Sequence, residues 1–445
     1  MQAMQRAAAL YQAGRFDEAE ALCHEIERLE GGNHFYAWHL LSVIAAHRGR
    51  HGDSAELATR ALRLDPRHVE ALCNRGAALR NLGRVQEALA DYERALAIMP
   101  GHGPAHLNRG VALAALNRYE EAHASYDRAL AIEPNDTRAR FNRALARLVR
   151  GDLAGLADFE ARWTGSDTQA GPRSLGAPQW SGQEPLDGKT LLLHTEQGFG
   201  DAIQFSRYVP QVAARGANIV LEAHAGLAPL LAQLPGVART VVRGEPLPPF
   251  DLHCPLMSLA LAFGTTLDTI PHDVPYLRAP EAHVERWRSR LGPRTRPRVG
   301  LAWSGSTTLK NDRNRTIALA QLAPLRAGPF DFYALHKDIR ASDEDALASG
   351  PPLTALAGDL VDFRDTAALV QEMDLVISVD TAVAHLAGAM AKPVWLLLPW
   401  SPDWRWLLER IDSPWYPTAR LWRQPQPGDW GSVIENVARE LAKLR

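Results

Sequence analysis

The stretch Asp374-Leu-Val-Ile-Ser-Val-Asp380-Thr381-Ala-Val-Ala-His385-Leu-Ala-Gly-Ala-Met390 decides how the second half of the chain is read. Residues 375–379 form a short apolar run of the kind found in a strand buried on both faces, and residues 394–398 form another. Between them, residues 382–390 are small and helix-compatible, giving strand, tight turn, helix and strand. A helix beginning at Asp380-Thr381 would present unpaired N–H groups and a partial positive charge, which suit a phosphate. His385 lies one helical turn beyond Thr381 and could face the same ligand. Taken alone, the stretch is equally compatible with Asp380 or Thr381 capping a helix and with His385 packed in a core.

Size and composition narrow the setting. A chain of 445 residues is too long for one ordinary core, so two or three domains are expected. Hydrophobic residues make up 46% and charged residues 22%, a globular balance. A formal net charge of −2 implies no general attraction to nucleic acid or anionic lipid. Cys23, Cys73 and Cys254 are far apart, which argues against a disulfide framework or zinc ribbon and for reduced thiols in the cytoplasm. The opening Met1-Gln-Ala-Met-Gln-Arg6 lacks the apolar segment of a signal peptide. No run approaches the roughly 18 to 20 apolar residues of a membrane span. The expectation is a soluble, cytoplasmic protein.

The first third is self-similar. Gly76 and Gly110, Ala88 and Ala122, Tyr92 and Tyr126, and Ala95 and Ala129 are each 34 residues apart, and Pro66, Pro100 and Pro134 keep the same interval. Small residues at a helix contact, an aromatic in the second helix and a closing proline resemble the tetratricopeptide repeat. Residues 1–163 are therefore read as an α solenoid of stacked helix pairs with a concave groove. Asn74, Asn108 and Asn142, each followed by an arginine, recur at the repeat interval. Either they are a solvated face or they form a ladder for an extended peptide, which makes a protein or peptide acceptor the expected partner of the groove.

Residues 164–188, rich in Gly, Ser, Pro and Gln, read as a linker in which Trp180 packs onto the next domain. From residue 189 strands alternate with helices. Strand candidates are 191–194, 217–222, 240–242 and 252–254, and 276–277 closes this half before a charged helix at 281–291. The pattern restarts with a strand at 299–303, a helix near 319–325 and a strand at 331–335. A helix capped at Asp365 and a last helix from 430 to 444 complete it. Two such halves, 189–292 and 293–445, suggest two doubly wound lobes, with a ligand outside the carboxyl ends of the strands, in the cleft between them.

Three features could carry chemistry there. The loop Glu196-Gln197-Gly198-Phe-Gly200-Asp201 follows a strand, and its glycines allow close approach to a ligand. Glu222 lies at a distance suited to a nicotinamide fingerprint, but Ile203 stands where the third glycine should be. Asp201, at a helix start facing a cleft, either caps the first turn or accepts a proton from an attacking hydroxyl. Lys310, Arg313 and Arg315 crowd one polar loop with Thr307 and Thr308. They are either a solvated basic loop or the counter-charge for a leaving diphosphate. No D-x-D sits after a strand where a nucleotide would lie, the histidines are scattered and no G-x-S-x-G elbow appears, so neither a metal site nor a serine hydrolase is indicated.

As a set, Glu196-Gln-Gly-Phe-Gly-Asp201, Trp303-Ser-Gly305, Asp312-Arg-Asn-Arg315, Val379-Asp-Thr-Ala-Val-Ala-His385-Leu-Ala-Gly388, Pro414-Trp-Tyr-Pro417 and Arg420-Leu-Trp-Arg-Gln424 resemble family-9, heptosyltransferase-like glycosyltransferases. More closely, the chain is similar to bacterial proteins that fuse tetratricopeptide repeats to such a domain. The resemblance implies a GT-B fold of two facing Rossmann-like lobes, acceptor side first and nucleotide-sugar side second. It implies metal-independent, inverting transfer from a nucleotide-diphosphate sugar, with no cofactor. Asp201 falls on the family's proposed general base, Lys310 or Arg315 on the phosphate loop, and Asp380, Thr381, Ala382 and His385 on the donor-binding turn. Gln197, Gly198 and Gly200 form the glycine loop at the cleft. His336-Lys337 stands where many relatives have a glutamine, so recognition of the base does not carry over. The expected function is glycosyl transfer to a protein acceptor. Transfer to a glycan or lipid-linked sugar, or a non-catalytic scaffold, are the alternatives.

Overall fold

The computed structural model describes residues 2–165, 171, 173–196, 198–306 and 312–444. The chain divides into two compact units, Met1–Arg147 with Asp158–Pro172, and Leu148–Ala157 with Arg173–Arg445.

The first unit is a run of antiparallel helix pairs: Gln2–Gln12 with Phe16–Leu29, Phe35–His47 with His51–Leu64, Val69–Asn81 with Val85–Ile98, and Gly103–Ala115 with Tyr119–Ile132. Glycine and tyrosine recur together because they are one contact. A Cβ on Gly76 would sit 2.6 Å from Tyr92 Cε1, and one on Gly110 would sit 2.4 Å from Tyr126 Cε1. The helices close only because both positions lack a side chain. An arginine beside each glycine ties the pair together from the other side. Arg75 forks onto Asp91 (2.7 and 2.6 Å), and Arg109 donates to Ser125 Oγ (2.6 Å). The repeat also carries its own helix starts. His34, His68 and His102 each accept, through Nδ1, the amide hydrogen three residues on (3.2, 3.3 and 3.1 Å). Asp136 fills the same place for Ala139 (3.0 Å). Gly49, Gly83 and Gly151 take the left-handed turn between helices, and Asn117 takes it where the series lacks a glycine (φ 58°).

The second unit contains two parallel sheets. Strands β1 (Thr190–His194), β2 (Asn218–Ala223), β3 (Val237–Val242) and β4 (Leu252–Pro255) lie in the order β3-β2-β1-β4. Strands β5 (Arg298–Ala302), β6 (Asp331–Ala334), β7 (Thr354–Ala355), β8 (Leu375–Val379), β9 (Val394–Leu398) and β10 (Ala419–Arg423) lie in the order β10-β9-β8-β5-β6-β7. This second order is that of a doubly wound dinucleotide-type sheet, with its switch point between β5 and β8. The first sheet has its own switch between β1 and β4. The central strands are apolar throughout because helices cover both faces. Val299, Leu301, Ile377, Val379, Trp395 and Leu397 pack with Val433, Ile434 and Val437 of the helix Trp430–Leu441.

Several sequence expectations shift. After the loop, the helix Phe199–Phe205 ends in a tighter turn at Ser206–Tyr208, just before Pro210, which has no amide hydrogen to continue the ladder. The helix expected near 319–325 is likewise a tight turn, Leu319–Leu322, followed by the short helix Ala323–Arg326 around Pro324. Asp365 does not cap its helix. Asp362 does, accepting from Arg364 N (2.8 Å), and the helix runs Phe363–Gln371. Asp365 is instead buried, taking Arg286, Trp287 Nε1 (3.3 Å) and Val361 N (3.0 Å). Strand β3 starts earlier than expected because its first residues lie on an exposed edge and show no apolar run. Residues 276–277 form no strand but donate both amides to Ala389 O (3.0 and 3.3 Å). In the stretch read as a linker, Trp180 is buried and its amide pairs with His253 O of β4 (2.8 Å). No helix among the described residues is long and apolar enough to cross a membrane.

Candidate active site

The strand ends at the two switch points carry the residues of interest. After β1 the chain passes buried Thr195 and Glu196 to Gly198, which is extended and leads into the helix Phe199–Phe205. After β8, Thr381 is extended and leads into the helix Ala382–Ala389. Its hydroxyl lies 3.1 Å from Ser378 Oγ and makes no cap, so no side chain of its own satisfies the first amides of that helix. Gly200 brings the two helix starts together. A Cβ there would lie 2.8 Å from His385 Cδ2 and 3.7 Å from Ala382 Cα. Asp201 and the 380–385 turn, far apart in sequence, are thus neighbours.

His385 is fixed on all sides. Its Nδ1 lies 2.9 Å from the Tyr416 hydroxyl, its ring stacks on Trp406 at 5.2 Å, and its Nε2 is 3.6 Å from Asp380 Oδ1. Burial pushes the Tyr416 hydroxyl well above its ordinary value, so it stays protonated beside that nitrogen. Gly388 makes room for Tyr416, since a Cβ there would be 2.4 Å from its ring. Burial works against the Asp380 charge. His385, Arg315 and Arg405 outweigh it and hold that carboxyl below the usual range.

Arg315 donates to Asp380 O (2.7 Å) and lies against Gly305, where a Cβ would come within 2.1 Å of its Nη2. Asp312 pairs with Arg315 (3.3 Å) and with Arg340, which also donates to Gly305 O (2.9 Å). Burial opposes the Asp312 charge, but Arg340 and Arg315 keep its pKa low. Two cations and one carboxylate thus stand behind the loop that follows β5. That loop is pinned by Trp303, whose amide donates to His336 Nε2 (2.9 Å) and whose indole donates to Asp343 (2.8 Å). Burial lowers the His336 pKa to about 4, so near neutral pH the ring is an uncharged acceptor. Lys310 and Gln197, with Thr307 and Thr308, fall outside the described residues.

Asp201 presents Oδ1 to Arg405 Nη2 (2.6 Å). Its side chain is 27% exposed, and Oδ2 has no hydrogen-bond partner among the described residues. Arg405 is buried. Burial opposes its charge, but Asp403, Asp201 and Asp380 outweigh this and hold its pKa above the ordinary value. Sequence reasoning missed Arg405, Arg340 and the parts played by Trp406 and Tyr416. The signal available was an arginine flanked by tryptophans in Trp404-Arg405-Trp406, which says nothing of where it folds. Glu222, the acid a nicotinamide fingerprint would need, is buried and bound by Arg173. Among the described residues no group of three or more His, Cys, Asp or Glu side chains could hold a metal ion.

In the repeat unit the asparagine series is uneven. Asn74 Nδ2 lies 2.9 Å from His39 Nε2, and Asn142 Nδ2 donates to Arg138 O on its own helix (2.8 Å). Asn108 is half-buried. The arginines that follow are engaged within the solenoid, Arg143 with Asp158 and Asp127 (both 2.9 Å) as Arg75 and Arg109 are with their own pairs.

Known proteins were matched on both units. Tetratricopeptide repeat models match residues 4–66, 45–102 and 79–148. The model of glycosyltransferase family 9 (heptosyltransferase) matches residues 337–397, which hold Asp380, Thr381, Ala382 and His385. Protein FlbA of Caulobacter vibrioides is 30% identical over 310 residues, 64% of this chain and 51% of that protein. The chain therefore spans about half the length of this curated relative. A crystal structure of MamA is similar at 20% identity, over 35% of this chain and 91% of that one, with a TM-score of 0.33. A thermophilic TPR protein of Thermus thermophilus is similar at 23% identity, over 38% and 92%, with a TM-score of 0.32. The chain is thus similar to tetratricopeptide-repeat proteins over residues 4–148 and to family-9 glycosyltransferases over residues 337–397.

Proposed function

We propose that the α/β unit is an inverting, metal-independent glycosyltransferase that moves a sugar from a nucleoside-diphosphate donor to an acceptor hydroxyl, on a protein held by the repeats. The observation that carries this reading is the Gly200–His385 approach, which sets a partly exposed carboxylate beside an uncapped helix start. Asp201 Oδ2 takes the proton of the acceptor hydroxyl, and the acceptor oxygen attacks the anomeric carbon. The bond to the diphosphate breaks on the opposite face, and its electron pair leaves with the phosphate oxygen. The amides of Ala382 and Val383, the dipole of their helix and Arg315 receive that charge. By the resemblance to family 9, Lys310 is a further candidate for this role. Neutralisation by fixed cations and amides makes a metal unnecessary for the leaving group. The family-9 match over 337–397 favours the sugar-nucleotide class, and the repeats favour a protein acceptor.

The test is transfer from a panel of radiolabelled nucleotide sugars, with the label traced to protein, glycan or lipid. Asp201→Asn is expected to keep nucleotide affinity and to slow transfer by about 100- to 10,000-fold. Undiminished turnover in that variant removes Asp201 from the reaction, and label found only on lipid or free glycan removes the protein acceptor.

A further inference from the structure

The guanidinium of Arg405 meets a different partner at each nitrogen. Nε donates to Gln204 Oε1 (2.6 Å), Nη1 to Asp403 Oδ1 (2.9 Å) and Nη2 to Asp201 Oδ1 (2.6 Å). Its Cζ lies 4.7 Å from the ring centroid of Trp404 and 5.6 Å from that of Phe205, and only 7% of the side chain is exposed. Asp201 and Gln204 lie three residues apart on one helix and so share a face. Asp403 is fixed in turn, because the same Oδ1 caps the Trp404–Trp406 turn by accepting Arg405 N (3.0 Å). Gln204 turns its oxygen to Arg405 and leaves Nε2 buried without a partner among the described residues. An apolar residue would avoid that cost, so the contact with Arg405 is what the glutamine serves.

We propose that Arg405 is the positioning residue for Asp201, holding Oδ1 so that Oδ2 alone faces the acceptor. A planar fork fixed at three edges sets the direction of a carboxylate more narrowly than a single point charge does. The charge of Arg405 is felt by Asp380 as well as by Asp201. With each guanidinium nitrogen engaged and so little surface open, Arg405 acts through Asp201 and not as a ligand of the diphosphate. The inference rests on the reaction proposed above.

The experiment compares Arg405→Gln, Arg405→Lys, Asp201→Asn and the Gln/Asn double variant of the full chain. It reads transfer at saturating donor, nucleoside-diphosphate affinity by calorimetry, and melting temperature. Misplacing a reacting group by about 1 Å costs on the order of 100-fold. Arg405→Gln should therefore lose about that much in kcat while diphosphate affinity stays within about two-fold. Arg405→Lys should recover part of the loss, and the double variant should be no slower than Asp201→Asn. A kcat for Arg405→Gln within two-fold of the parent overturns the inference. A diphosphate affinity weakened tenfold, with kcat intact at saturation, also overturns it and makes Arg405 a donor ligand. Should no nucleotide sugar be used by the parent protein, the proposed function fails and the pairing is judged by melting alone. Asp201→Asn should then relieve part of the melting loss caused by Arg405→Gln, and strictly additive losses overturn the pairing. If the glutamine variant does not fold, the lysine variant carries the same comparisons.

Discussion

In the repeat unit, the contacts that decide the fold join residues 16 apart, as in Arg75–Asp91, and recur from one helix pair to the next. In the α/β unit, the contacts that decide the site join residues as much as 204 apart, as in Asp201–Arg405, and occur once. The first kind is built from neighbours in sequence, so each pair can form and stack on the next. The second kind exists only after both sheets have closed and their helices have met. Both units rely on a glycine to let two helices touch, Gly110 under Tyr126 and Gly200 under His385, but the consequences of filling the two positions should differ.

Acid separates the units first. Burial holds the His336 pKa at about 4 against 6.5 in the unfolded chain, so the folded α/β unit binds the proton less readily. The resulting stability is fully present above pH 6.5 and is lost as pH falls from there through about 4, reaching about 3 kcal/mol. Urea unfolding followed at pH 7 and at pH 5 should show this loss, and His336→Gln should flatten it. An unchanged slope in that variant would break the assignment.

Next come the two glycines. Gly110→Ala and Gly200→Ala should each cost about 1 to 3 kcal/mol, since neither Tyr126 nor the stacked His385 has room to retreat. Hydrogen exchange should place the first loss in the repeat helices and the second in the α/β unit. Only Gly200→Ala should also weaken nucleoside-diphosphate binding, and a loss of binding in both would erase the contrast between the units. The smallest effect is expected at a repeated cap. His68→Ala should cost about 1 kcal/mol by removing the acceptor for Ala71 N, measured as a fall in the urea midpoint of the repeat unit.

The 34-residue interval was legible because it is printed in the chain: Gly76, Tyr92, Gly110 and Tyr126 announce a helix contact by their spacing alone. The histidine caps at 34, 68 and 102 follow the same interval, yet histidine is not a usual cap and gave no cue. The apolar runs at 191–194, 375–379 and 394–398 were legible as buried strands, because covering helices leave no polar face to alternate. Edge strands β7 and β10 were not, being short or half-exposed. Asp365 looked like a helix cap because it precedes a helical pattern. Asp362 held the position because a cap is set by backbone angle, which one-letter spacing does not reveal.

By itself, the sequence determined what neighbouring residues enforce: paired helices repeated at a fixed interval, strands buried on both faces, and glycine-containing turns at their ends. Tertiary structure alone decided which turns meet, that Arg405 stands on Asp201, and that Glu222 is spent on Arg173. The physical reason is that a charge has no partner in sequence space. Its pairing depends on which strand ends the sheet order brings together, and that order is settled by packing the whole unit.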